Sequence, residues 1–143
     1  MYLLDTNVVS ETRRARPHGA VLNWIGATAG LGTFIPAVVL GELQQGIELA
    51  RPHDPIKAAE IQTWLDAFEL TSNILAMDGS DFRLWARLMH GKPPHLNADA
   101  MIAATAINRG LTVATRNVRD FEQFGVALFN PFAAIVAEGE GDV

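Results

Sequence analysis

Four carboxylates, Asp5, Glu42, Asp99 and Asp120, are the side chains of this 143-residue chain with the most chemistry to offer. Each stands just after an apolar run or at the start of a helix-forming stretch, where a fold can bring distant segments to one rim. Carboxylates pooled in a partly dry cleft repel one another at a cost of several kcal/mol unless protons or a cation offset it. A hard divalent cation is the economical solution. Carboxylate, carbonyl and water ligands suit Mg²⁺ or Mn²⁺, and Mg²⁺ takes one or two carboxylates and keeps waters, leaving positions for a phosphate oxygen. Such a set would serve phosphodiester or phosphoryl chemistry. The chain has no cysteine, which excludes a disulfide scaffold, a thiolate metal site and a cysteine nucleophile. His18, His53, His90 and His95 are scattered over Pro-rich or Gly-rich segments and do not form a two-histidine metal pattern.

Whether the acids meet depends on the elements that carry them. Residues 2–4 are a short apolar run ending in Asp-Thr-Asn, after which Val8 and Val9 open a helical pattern. Residues 33–37 read as a second strand. Behind it Val39, Leu43 and Ile47 recur at helical spacing, and a further helix over about 56–68 turns Ile61, Trp64, Leu65 and Phe68 inward. Residues 70–76 read as another strand. Ser80 is the expected cap of a helix bearing Phe82, Trp85, Leu88 and Met89. Asn97 is the expected cap of one bearing Ile102, Ala103, Ala106 and Ile107, stopped by Gly110. Residues 111–114 form the clearest strand, Asn117 caps a short helix to Phe124 that Gly125 ends, and residues 126–129 are the last strand.

Strands alternating with helices imply an α/β fold whose mostly parallel central sheet is flanked by helices on both faces. Ligands of such sheets sit outside the carboxyl ends of the strands. Asp5, Glu42, Asn117 and Asp120 fall on that edge. Asp99 reaches it by another route, because its helix joins the 111–114 strand through the turn at Gly110 and runs back antiparallel to it.

Each acid also has a plainer reading. Asp99 lies where the helix macrodipole favours any carboxylate. Asn117 with Asp120 three residues on resembles a capping arrangement. Asp5 followed by Thr-Asn could form an Asx-turn, and Glu42 could be a solvated helix glutamate on the flank of the apolar stripe. The coincidence of all four on one rim favours the joint reading.

Length and composition agree with one soluble globular domain: 49% of residues are hydrophobic and 19% charged. The compact unit is expected over residues 1–132, with 133–143 an acidic tail, solvated and mobile, that holds Glu138, Glu140 and Asp142. No apolar run approaches a membrane span and no signal peptide is visible, so a cytoplasmic protein is expected. The net charge of −5 argues against non-specific coating of nucleic acid. Its bases are nonetheless clustered, at Arg13, Arg14 and Arg16, at Arg83 and Arg87, and at Arg116 and Arg119. Trp24, Trp64 and Trp85 lie at helical spacing with other apolar residues and read as core before partner contacts.

Four blocks, in order, resemble the PIN-domain ribonucleases, specifically the VapC-type toxins of bacterial toxin–antitoxin pairs and their FitB-like relatives. They are Leu-Leu-Asp-Thr-Asn-Val-Val-Ser-Glu at 3–11, Pro-Ala-Val-Val-Leu-Gly-Glu-Leu-Gln-Gln-Gly at 36–46, Asp-Ala-Met-Ile-Ala-Ala-Thr-Ala at 99–106 and Ala-Thr-Arg-Asn-Val-Arg-Asp-Phe at 114–121. The resemblance implies a PIN-like fold in which Asp5, Glu42 and Asp99 are the acidic metal ligands and Asp120 completes the cluster directly or through water. Thr6 would orient Asp5 or a bound water, and Thr115 and Asn117 would support the rim. Many relatives carry an aspartate where this chain has Asn117, so the neutral amide removes one charge from the family's pattern. Arg116 and Arg119 flank the rim and could hold RNA phosphates.

The activity implied is hydrolysis of RNA with Mg²⁺ or Mn²⁺, by a metal-activated water that leaves 5′-phosphate and 3′-hydroxyl ends. The partners implied are a second copy of the chain and a small antitoxin whose segment lies over the acidic cleft. Two other readings compete. A haloacid-dehalogenase-like phosphatase would use Asp5 as nucleophile and Thr115 as phosphoryl holder, but it needs a second acid where Asn7 stands and a positioned lysine, and Lys57 and Lys92 are the only lysines. A catalytically inactive PIN-fold module would bind RNA or antitoxin without cutting.

Overall fold

The computed structural model describes residues 1–28 and 32–133. The acidic tail expected over 133–143 lies, apart from Ala133, outside the described residues. In chain order the elements are β1 (Tyr2–Leu4), α1 (Thr6–Glu11), α2 (Gly19–Thr28), β2 (Thr33–Pro36), α3 (Ala37–Ala50), α4 (Pro55–Thr71), β3 (Ile74–Leu75) and α5 (Gly79–Met89). A 3-10 turn (Pro94–Leu96) leads to α6 (Asn97–Arg109), β4 (Thr112–Ala114), α7 (Val118–Glu122) and β5 (Leu128–Phe129).

All pairings are parallel, and the strand order is β3-β2-β1-β4-β5. The chain first winds outward from β1 through β2 to β3, then returns across β1 to β4 and β5. Right-handed crossovers therefore lay α1 to α4 on one face and α5 to α7 on the other. The winding reverses between β1 and β4, whose register sets Leu4 beside Ala114. That reversal opens a crevice at the carboxyl ends of those two strands.

The core is continuous through the sheet: Leu3, Val9, Val39, Ile47, Ile102, Val113 and Phe121 are all inaccessible to solvent. Trp24 is buried, stacked on Phe129 and edge-on to Tyr2, as expected of a core tryptophan. Trp64 and Trp85 are only half-buried, against Phe68 and Phe82 respectively.

Several local expectations are corrected. The second strand stops at Pro36, which becomes the N-cap of α3. The strand expected over 70–76 shrinks to Ile74–Leu75, because α4, capped by Asp54 on the Lys57 N–H, continues to Thr71 and leaves Leu70 87% exposed on a helix. Asp78, not Ser80, caps α5: its carboxylate takes the Asp81 N–H while the Asp81 carboxylate takes the Asp78 N–H, and a reciprocal box satisfies two helix-end donors where a serine two residues on satisfies none. At α6 the 3-10 turn runs straight into the helix, so Leu96 is the cap and Asn97 is already helical. Gly110 ends α6 at φ +64, the left-handed geometry glycine adopts without strain.

Candidate active site

The crevice at the strand reversal is built around Asp5. The residue is 3% exposed, caps α1 from an extended backbone, and donates its own N–H to the Ala114 carbonyl at 3.0 Å. The sheet itself thus fixes its position. One carboxylate oxygen, Oδ1, accepts the Thr6 N–H at 2.7 Å. Oδ2 accepts the Thr115 hydroxyl at 2.7 Å and the Asn7 amide at 3.2 Å. Burial pushes the Asp5 carboxyl above the usual range, and these three bonds pull it only part of the way back.

Glu42 lies in the second turn of α3, where Oε1 accepts the Thr6 hydroxyl at 2.7 Å. Thr6 was expected to orient Asp5 or a water. It holds Asp5 through its main-chain N–H and spends its hydroxyl on Glu42, so one residue ties two acids from separate elements. The Glu42 carboxyl is raised by burial first and by the Asp5 charge second, against the lowering effect of the Thr6 bond.

Asp99, in the first turn of α6, carries the largest perturbation of the rim: its carboxyl is pushed up to about 7. Burial contributes most, followed by the charges of Asp5, Asp120 and Glu42. The positive end of the α6 macrodipole would lower this pKa, so repulsion and desolvation together outweigh it. Asp120, half-buried in the first turn of α7, faces the same cluster. Asp99 therefore feels the charge of the other three acids, and Glu42 that of Asp5.

The supporting residues divide. Thr115 is fully buried and bonded to Asp5, as expected. Asn117 is exposed at the N-cap position of α7 without a side-chain capping bond, and it joins the rim only by its main-chain N–H to the Thr115 hydroxyl at 2.9 Å. Arg116 and Arg119 are exposed, and Arg116 lies with its guanidinium carbon 3.8 Å from the centre of the Phe132 ring. Two contributors escaped the sequence reading. Asn7, two residues after Asp5, bonds Asp5 and Thr115 through its amide nitrogen and accepts the Arg116 N–H at 3.1 Å through its oxygen. The signal was the Asp-Thr-Asn turn itself. Phe132 gave none, because nothing local to it points to Arg116.

Among the described residues, no three His, Cys, Asp or Glu side chains close around a point that could hold a metal ion. The donor set nonetheless suits a hard divalent cation. Its side-chain oxygens are those of carboxylates, threonine hydroxyls and the Asn7 amide, and Mg²⁺ needs one or two carboxylates rather than a preassembled triad.

A groove of about 400 Å³ leads away from the rim, lined by Thr6, Ser10, Arg13, Glu42, Gly46 and Ile61 among others. Glu42 stands at its acidic side.

Comparison with known proteins gives a consistent result. The family model described as the PIN domain matches residues 2–126. The chain is 36% identical to the VapC ribonuclease Y4jK of Sinorhizobium fredii, over 92% of this chain and 98% of that protein. It is 34% identical to the toxin FitB of Neisseria gonorrhoeae, over 92% of this chain and 99% of that protein. The crystal structure of FitAcB from Neisseria gonorrhoeae superposes with a TM-score of 0.75 at 32% identity, covering 92% of this chain and 99% of that one.

Proposed function

The chain belongs to the PIN-domain family, and from that premise we propose that it is a metal-dependent ribonuclease, the toxin of a toxin–antitoxin pair. The observation that carries the reading is the set of four acids pooled at the β1/β4 reversal, with Asp99 raised to about 7. An acid cluster this costly is explained by a cation that offsets it. Asp5, Glu42 and Asp99 would hold Mg²⁺ or Mn²⁺, with Asp120 bonding directly or through water. When bound, the ion would polarise the scissile phosphate and lower the pKa of an attacking water.

The chain's own residues supply the rest. Thr115, Asn7 and the Thr6 N–H hold the Asp5 carboxylate in one orientation, so no rotamer has to be fixed when the ion and the phosphate arrive. The Thr6 hydroxyl does the same for Glu42. Asp99, whose carboxyl is pushed up to about 7, would have to give up its proton to serve as a ligand of that ion. Hydrolysis through water leaves 5′-phosphate and 3′-hydroxyl ends, and no histidine is required.

The antitoxin of this pair would lay a segment along the groove beside Glu42, placing a basic side chain among the acids. The toxin acts as a homodimer in the cytoplasm. No helix among the described residues is long and apolar enough to cross a membrane.

The test is direct. Purified protein freed of its partner cleaves single-stranded RNA with Mg²⁺ or Mn²⁺ and not with chelator. Asp5→Asn and Asp99→Asn each lower the rate by roughly a hundredfold or more with far-ultraviolet circular dichroism unchanged. Cleavage at wild-type rate in either variant refutes the assignment. RNA binding with no cleavage in any metal would make the chain a binding module.

A further inference from the structure

Arg116 differs from the paired arginines of this protein. Arg109, Arg51 and Arg14 each sit within 4.0 Å of a carboxylate, whereas no acid pairs with Arg116 among the described residues. Its guanidinium carbon lies over an aromatic ring instead, 3.8 Å from the Phe132 centroid, while the residue as a whole remains exposed.

The shelf beneath it is built in layers. Phe132 is 7% exposed, and its N–H is bonded to the Asn130 side chain at 2.9 Å. The Phe132 ring meets His18 edge-on at 5.4 Å. His18 is held in turn: its N–H donates to Glu11 Oε1 at 2.8 Å, and its Nδ1 accepts the Ala20 N–H at 3.2 Å. Glu11 is itself only 5% exposed. Toward the acids the tether is made by the backbone. The main-chain N–H of Arg116 donates to the Asn7 oxygen, and the amide nitrogen of the same Asn7 bonds Asp5.

We propose that Arg116, laid on Phe132 beside Asp5, is the stacking surface for one base of single-stranded RNA flanking the scissile phosphate. The inference rests on the ribonuclease reading. An arginine side chain free in solvent loses much rotamer entropy when it orders, and here that ordering precedes substrate. A guanidinium plane accepts an unstacked base on its free face, while its N–H groups stay available at the edge for a neighbouring phosphate. Phe132 is a positioning residue in this arrangement. Arg119 is exposed, and among the described residues no aromatic ring lies under its guanidinium as Phe132 lies under that of Arg116.

The test uses the full-length protein and a short oligoribonucleotide carrying 2-aminopurine at successive positions, in chelator so that nothing is cut. Wild type should change the fluorescence at one position. Arg116→Ala should lose that change and bind about 5- to 150-fold more weakly, the range that base stacking supplies. Arg116→Lys, which retains charge without a plane, should also lose the change and recover only the electrostatic part of the affinity. Phe132→Leu should reduce the change while leaving the charge in place. A wild-type fluorescence change in Arg116→Lys, or wild-type affinity in Arg116→Ala, overturns the proposal. Failure of wild type to cleave the same oligonucleotide with Mg²⁺ or Mn²⁺ would instead overturn the ribonuclease reading, so the two failures are distinguishable.

Discussion

Asp99 shows how one residue can be tuned by its neighbours against its own helix. Its carboxyl titrates near 7 in the folded protein, against 3.8 as its ordinary value. A raised carboxyl pKa means that the folded state binds more protons than the unfolded state between those values. Stability of the metal-free protein is therefore greatest below about pH 4 on this account and falls as pH rises toward and through 7. Asp99→Asn removes both the ionisation and the repulsion. Thermal unfolding in chelator should show a higher Tm for the variant than for wild type at pH 7.5, with the two converging below about pH 4. A variant Tm at or below wild type at pH 7.5 would contradict the repulsion described at the rim.

At the scale of elements, α5 and α6 are locked together far from the rim, and that lock fixes the direction of the helix that carries Asp99. Asp81, 1% exposed, closes the α5 capping box and also receives Arg109 at 2.8 Å and Asn108 at 2.8 Å from the end of α6. Burial alone would raise the Asp81 carboxyl, but Arg109, Asn108 and the Asp78 N–H overcome it and hold it down at about 2. The contribution is present above pH 4 and is lost as pH falls toward 2, the opposite sign to Asp99. Asp81→Ala leaves the Asp78 N–H without its acceptor, and leaves Arg109 only the Thr105 and Ala76 carbonyls and the Asn108 amide only the Ser80 hydroxyl. It should cost about 2 to 4 kcal/mol in urea unfolding at pH 7. A loss under about 0.5 kcal/mol, the range of an ordinary surface substitution, would show that the box and the pair do not stabilise the helix pairing.

For the molecule as a whole, the winding of the sheet turns local acid positions into a site. Because β1 lies at the centre of a β3-β2-β1-β4-β5 order, segments as far apart as Asp5 and Thr115 become neighbours. A cation bound there stabilises the folded chain and not the unfolded one, in which the acids are dispersed. At about 100 times its Kd such a ligand adds about 2.7 kcal/mol, which raises Tm by several degrees for a chain of this size. Differential scanning fluorimetry should show a dose-dependent rise with Mn²⁺ or Mg²⁺ for wild type at pH 7.5 and a much smaller one for Asp5→Asn. Equal rises in both would place the ion elsewhere.

The sequence by itself determined the alternation of strands and helices, the Gly110 stop, and the positions of Asp5 at a strand end and of Glu42 early in the helix after the second strand, because hydrophobic period, backbone-permissive glycines and helix caps act over a few residues. It was less reliable where local signals compete: Ser80 and Asp78 both suit a cap, and the apolar residues of 70–76 suit a strand or the end of a helix. Only the tertiary structure decided which acids feel each other's charge, that Thr6 spends its hydroxyl on Glu42, and that Arg116 rests on Phe132. Those relations join residues separated by 36 to 110 positions in hydrogen bonds, or residues that follow two neighbouring parallel strands in an aromatic contact at the same carboxyl edge of the sheet. Strand order and close packing set them, and neither is written in the periodicity of any one segment.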